Sequence, residues 1–246
     1  MTDMFSMFGR WAREIADPLL VSGRRGVQRG AEARIVDDVL RKLSLCATDH
    51  LLDIGCGVGT LLLPLSQHVK KIIGVDHPAI IERLRTAPHP ANCEFVAGHW
   101  LRDTFAIAPV EKIVAYSVVH YLASMNEVIA FITKALACLQ PSGRLLIGDL
   151  PNDSLRDRFA RTAFGQQFTA EFQSQRVAQA AREEVVRDAM LAAQPVESCA
   201  IFTDERIAEI VRHFRTCDID AQRLPQPVDL PFGYTREDLL FVKSAK

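Results

Sequence analysis

LLDIGCGVGT, residues 51–60, sets three glycines on alternate positions directly after a short apolar run that carries an acid. Glycine has no Cβ, so Gly55, Gly57 and Gly59 allow a strand-to-helix bend whose backbone lies against something bulky. The N–H groups that open the following helix lack intrahelical acceptors and are free to donate to a ligand. Pro64 falls within the first turns of that helix, where a missing donor costs less than it would further in. Asp76 closes the next apolar run, KIIGVD at 71–76, and lies twenty-one residues after Gly55. That distance suits a carboxylate at the neighbouring strand tip, accepting both hydroxyls of a ribose. A dinucleotide turn needs G-x-G-x-x-G, whereas Thr60 follows Gly59 here, and no Gly-Lys-Ser/Thr of a phosphate loop is present. The combination describes a nucleoside site without a phosphate grip.

Working outward, HLLDI (50–54), KIIGVD (71–76), CEFVAG (93–98), KIVAYS (112–117) and RLLIGDL (144–150) are nearly continuous in apolar character. Such runs predict strands buried on both faces, as in a parallel sheet covered by helices. Helices are expected between them. Ile35, Val36, Val39, Leu40 and Leu43 are spaced as one face of a helix over 29–44. In 124–139, Ser124 and Glu127 have capping-box spacing, and QPSG at 140–143 is expected to turn the chain into the next strand. The alternation predicts an α/β, doubly wound, Rossmann-like core over 29–150.

Beyond it, residues 153–194 read as two helices, one with Phe159, Phe164, Phe168 and Phe172, the other through 176–193. A helix that Thr203 can cap follows, then two strands at 217–224 and 237–244 around a proline-rich loop. With no repeat and no polar linker, the expectation is one domain over 1–246. Its parts are an N-terminal cap segment at 1–28, the core at 29–150, a helical insertion at 151–200, and a final helix and strand pair at 201–246. The insertion is the expected lid, with a homodimer contact as another use for it.

The balance of 29 basic and 30 acidic residues leaves a formal charge of −1, so no overall positive field draws the chain to nucleic acid, and no nucleic-acid partner is expected. Six cysteines without a C-x-x-C pair point away from a metal site and from a disulfide framework. No signal-like core and no membrane-spanning stretch is present, so a cytoplasmic location away from membranes is expected.

These segments resemble the class I S-adenosylmethionine-dependent methyltransferases of small-molecule type. LLDIGCGVGT is similar to that family's first motif, GVDHP (74–78) to its acidic second motif, AYSVVHYL (115–122) to the segment after its fourth strand, and LQPSGRLLIGDLP (139–151) to its fifth-strand motif. The resemblance implies a seven-stranded, mostly parallel sheet with helices on both faces, and S-adenosylmethionine as cofactor. It implies that Asp53 and the turn of Gly55, Cys56, Gly57 and Gly59 hold the amino-acid end, that Asp76 holds the ribose, and that His77 flanks the adenine. Where many members carry an acid after the third strand, this chain has Gly98, His99 and Trp100, with Trp100 placed to stack on the adenine. Tyr116 and Ser117 follow at the fourth strand tip as further cofactor contacts.

Methyl transfer from a sulfonium depends on holding donor and acceptor close, aligned and dry. His120 and Tyr121 are the catalytic candidates, because a histidine takes a proton from an attacking hydroxyl near neutral pH. Tyr116 and Asp149 rank behind them. Arg24, Arg25, Arg156, Arg158 and Arg161 are read as a solvated face in preference to a clamp on an anionic acceptor. The expected acceptor is a small molecule such as a sugar or other metabolite hydroxyl. A nicotinamide-dependent oxidoreductase and a non-catalytic subunit that keeps the fold are the alternatives.

Overall fold

A computed structural model describes residues 3–180, 182–193 and 199–245. The chain opens with two helices, α1 (Met4–Glu14) and α2 (Pro18–Val21), and a short 3-10 turn, Gly26–Gln28, that leads into α3 (Arg29–Leu43). The core then runs β1 (His50–Ile54), α4 (Leu62–Ser66), β2 (Lys71–Asp76), α5 (Pro78–Thr86), β3 (Cys93–Ala97), β4 (Val110–Tyr116), α6 (Met125–Ala137) and β5 (Leu139–Pro151). Three helices follow: α7 (Asp153–Ala160), α8 (Ala163–Ala178) and α9 (Arg182–Ala193). The described chain ends with α10 (Asp204–Arg215), β6 (Ile219–Pro225) and β7 (Arg236–Lys243).

The strands form one seven-stranded sheet in the order β3-β2-β1-β4-β5-β7-β6. Strands β1 to β5 pair in parallel, while β7 runs antiparallel to both β5 and β6. Both faces of β1, β2, β4, β5 and β7 are covered, which is why those strands carry long apolar runs, while the edge strands β3 and β6 are only partly buried. Leu51, Ile72, Val114, Leu146 and Leu240 belong to the core on one face, with α3 and α5. Their neighbours Leu52, Ile73, Ala115, Ile147 and Phe241 belong to the other, with α6 and α10. Ile35, Val39 and Leu43 turn one stripe of α3 inward, and Val128, Phe131, Ile132, Ala135 and Leu136 do so for α6. Each fully buried aliphatic side chain contributes roughly 1.5–3 kcal/mol.

Several expectations change. QPSG does not form a free turn; residues 140–143 lie within β5, where Ser142 takes φ +61° and the register with β4 shifts between Val110 and Lys112. The helix after the glycine turn is only five residues long. The stretch 153–194 forms three helices where two were expected, since Thr162 caps a fresh start for α8 by accepting from the Gly165 N–H. Ala181, within the second expected helix, lies outside the described residues, as do 194–198, 246 and the first two residues of the cap segment. Among the described residues no helix is long and apolar enough to cross a membrane.

Candidate active site

The order of strands reverses between β1 and β4, and an open α/β sheet leaves a crevice at the carboxyl ends of its strands at such a point. A cavity of about 250 Å³ occupies it. Its floor is the turn after β1, where Gly55, Gly57 and Gly59 all have positive φ, of 77°, 53° and 86°. The three glycines serve different ends. A Cβ on Gly55 would come within 2.5 Å of Val118 Cγ2, and one on Gly59 would press on Leu84 and Leu63, so these two let the turn pack. A Cβ on Gly57 would meet nothing within 4 Å, and Gly57 lines the cavity. Gly59 does not line it.

Two carboxylates face this floor. Asp53 is 2% exposed, and its Oδ2 has no hydrogen-bond partner. Burial, and then the nearby Asp76, push its carboxyl up to about 8. Asp76 accepts from the Gly57 N–H at 2.7 Å and from the His77 N–H at 2.6 Å. Burial raises it to about 6 against the pull of those two donors. Cys56 is a buried wall residue whose thiol burial pushes upward, away from the thiolate a nucleophile needs.

Helix α1 roofs the cavity. Asp3 caps it by accepting from the Ser6 N–H, and its inward stripe contributes Met4, Phe5 and Phe8 to the lining. Met4, Met7, Trp11 and Ile15 recur at helical spacing in the N-terminal segment, and that spacing was the sequence signal for this element. The lid expected from the helices at 153–194 is therefore supplied from the other end of the chain. Phe159, Phe164 and Phe168 instead cluster with Tyr234, whose ring stacks on Phe159 at 4.8 Å.

His99 lines the cavity with its ring 4.6 Å from Phe5, and Gly98 and Trp100 line it as well. Trp100 stacks on Phe105, and its Nε1 donates to the Phe131 carbonyl. His77 is not in the lining. It caps α5, its Nδ1 accepting from the Ala79 N–H, and its ring packs under Phe5 and Gly9.

At the other end stand Phe8, Arg24, Glu32, Tyr116, Ser117 and Tyr121. Arg24 departs from its expected solvated role. It is 5% exposed and donates to Asp149 Oδ2 at 2.8 Å, to Glu32 Oε2 at 3.1 Å and to Ser117 Oγ at 2.7 Å. Burial alone would raise the Asp149 carboxyl, but Arg24 and Arg236 hold it well below the usual carboxylate range. Ser117, just past β4, and Asp149, where the register of β5 with β7 shifts, have φ of 60° and 61°, conformations that non-glycine residues adopt at a cost. The buried Asp238 fixes the second of these bends by accepting from the Asp149 N–H at 2.8 Å, and it also binds Lys42 and Gln226. Gln226 donates in turn to the Tyr116 hydroxyl at 3.1 Å.

Of the two catalytic candidates, Tyr121 lines the cavity, its ring 5.1 Å from Phe8, and His120 does not. Burial, and then Arg236, push the His120 imidazole down to about 3, and its buried Nδ1 has no partner. Glu32, which sequence reasoning passed over, has its pKa raised by burial against Arg24, and no hydrogen bond to its Oε1 occurs among the described residues. Arg25 binds Glu184 and Asp188, while Arg156, Arg158 and Arg161 stay exposed and outside the cavity, as a solvated face requires.

Residues 27–214 match the methyltransferase-domain family, so the chain belongs to that family, the class I S-adenosylmethionine-dependent methyltransferases. The chain is 30% identical over 138 residues to the chondramide synthase of Chondromyces crocatus, a match covering 52% of this chain and 4% of the synthase. It is 25% identical over 122 residues to the ubiquinone biosynthesis O-methyltransferase of Rhodopseudomonas palustris, covering 50% of this chain and 48% of that enzyme. The chain thus spans less than half the length of these relatives. Its fold is that of the N-methyltransferase NodS from Bradyrhizobium japonicum, a structure in complex with S-adenosylhomocysteine. That likeness has a TM-score of 0.57 at 17% identity and covers 98% of this chain and 99% of that one.

The residues present fit the cofactor. An unpartnered buried carboxylate oxygen on Asp53 suits a cationic group, the space above Gly57 is what a Cβ would fill, and Asp76 retains acceptor capacity beyond its two backbone donors.

Proposed function

We propose that the chain methylates a small-molecule acceptor, a sugar or other metabolite hydroxyl, held at the Arg24 and Glu32 end of the cavity. The observation that carries this reading is the roof: with Phe5 and Phe8 laid across the strand tips, the space narrows to a cavity of small-molecule size, about 250 Å³. S-adenosylmethionine supplies an electrophilic methyl carbon on its sulfonium when bound. Asp53 and the turn at Gly55 and Gly57 hold the amino-acid end, Asp76 takes the ribose hydroxyls, and Gly98 and His99 flank the adenine beneath Phe5. Phe8 and Tyr121 wall the acceptor end and exclude water, which strengthens every charge interaction inside. Ser117 and Arg24 orient the acceptor.

Glu32 replaces His120 as the residue that takes the acceptor proton. Glu32 lines the cavity, no hydrogen bond to its Oε1 occurs among the described residues, and burial has already raised its affinity for a proton. An imidazole pushed down to about 3 and set outside the lining is a poor base for this step.

The test is to incubate the protein with methyl-labelled S-adenosylmethionine and a cell extract, then separate small molecules, RNA and protein. Label in the small-molecule fraction supports the proposal. Label confined to RNA or protein refutes it.

A further inference from the structure

The roof of the cavity is built from residues 3–24, and it is held by a helix that never touches the cavity. Helix α9 turns an unusual face inward: Glu183, Glu184, Arg187 and Asp188, with Met190 the buried apolar anchor. Glu183 accepts from the Asp17 N–H at 3.0 Å, and Glu184 accepts from the Gly26 N–H at 3.1 Å and from Arg25 at 2.7 Å. Asp188 accepts from the same Arg25 nitrogen at 2.9 Å. At the centre lies Arg187, 2% exposed. Its Nη1 donates to the carbonyls of Leu20 and Arg24, and its guanidinium sits 5.7 Å from the Trp11 ring. One side chain therefore touches α1, α2 and the backbone of the arginine that reaches into the site.

We propose that Arg187 is a positioning residue for methyl transfer, with α9 as a releasable strap that keeps the roof and the Arg24 guanidinium in place over bound cofactor. The proposal rests on the reading that this cavity holds the cofactor. A helix docked by apolar side chains is fastened at any salt concentration, whereas one docked by ion pairs at a partly exposed rim is loosened by screening. Arg25 and Asp188 form such a rim, with side chains 24% and 33% exposed. Cofactor entry and exit require the roof to lift, and the strap sets how often it does.

The experiment loads the full chain with radiolabelled S-adenosylhomocysteine and chases it with excess unlabelled compound. Arg187→Gln is expected to raise the dissociation rate about tenfold. Arg187→Lys, which keeps a donor for the two carbonyls, is expected to restore it to within about threefold of the wild-type rate. A residue that served only stability would lower the melting temperature and leave the dissociation rate alone. Should the glutamine variant fail to fold, Arg25→Gln tests the same strap from its rim, with a rise of about threefold expected. The wild-type rate is also expected to rise between about 0.05 and 0.5 M salt. A wild-type protein that binds no S-adenosylhomocysteine refutes the cofactor reading itself. A wild-type protein that binds it, with variants that release it at the wild-type rate, overturns the strap alone.

Discussion

Binding of S-adenosylhomocysteine near pH 7 is expected to expel a proton from Asp53. In the ligand-free pocket its carboxyl is pushed up to about 8, first by burial and then by Asp76, and one oxygen has no partner. A group with that pKa carries about 0.9 of a proton at pH 7. An opposite charge at contact distance lowers a carboxyl by about 1–3 units. If the ligand's ammonium lowers it to about 6, occupancy falls to about 0.1, and about 0.8 proton leaves per ligand bound. Affinity then rises with pH between the bound and free values, approaching tenfold per unit. The ligand-free fold shows the opposite trend. The folded carboxyl titrates above its unfolded value, so the fold binds more protons between about pH 4 and 8 and loses stability as pH rises through that window. Titration calorimetry in two buffers of different ionisation enthalpy counts the released protons. Fewer than about 0.2 proton per ligand, or the same release from Asp53→Asn, would show the reasoning wrong.

Asp76→Asn removes charge-assisted acceptors for the ribose and is expected to weaken S-adenosylhomocysteine binding about 10- to 100-fold by calorimetry, at 1.5–3 kcal/mol for such bonds. Gly57→Val places branches in open cavity space at φ +53°, so ligand binding should vanish while stability falls by only about 1–2 kcal/mol in a urea melt. Arg24→Met leaves Glu32 buried without its cation and Asp149 with only Arg236, 3.8 Å away, and about 3–5 kcal/mol of stability should be lost at neutral pH. That loss should shrink only as pH falls below about 4, the unfolded value, toward the depressed folded one. In the intact protein the depressed Asp149 contributes stability above its unfolded pKa and gives it up in acid, a contribution the variant lacks.

How legible these features were depends on how local their causes are. The strands and the glycine bend declare themselves in contiguous residues, since a doubly covered strand must be apolar at nearly every position, and LLDIG is. Asp53 and Asp76 could be placed at one cavity from sequence because strand tips are fixed points of an α/β sheet. Arg24 was read as solvated and Glu32 was passed over, because Arg24 is buried by Asp149, 125 positions away, and Glu32 takes its meaning from Arg24. A charge beside another charge reads as solvated until something is seen to bury it. The N-terminal segment was expected as a cap, but its part in roofing the cavity was not, for a related reason. Its inward stripe of Met4, Phe8 and Trp11 is interrupted by polar residues, and only docking on α5, where Arg83 donates to the carbonyls of Ala12 and Ile15, identifies the face as a lid. His120 misled because a histidine at a strand tip signals catalysis only if solvent or substrate can reach it.

The two halves of the closure lie far apart in the order of synthesis. Asp17 and Glu183 are separated by 166 positions, so α1 can seat on α5 through Arg83 well before α9 has been made to strap it. Long-range contacts of this kind form late. A nascent chain whose β1 to β5 are already paired can lay Phe5 and Phe8 over the strand tips, but its Trp11 ring still lacks the Arg187 guanidinium that covers it. Stalled or truncated chains lacking α9 should therefore be the ones that chaperones retain.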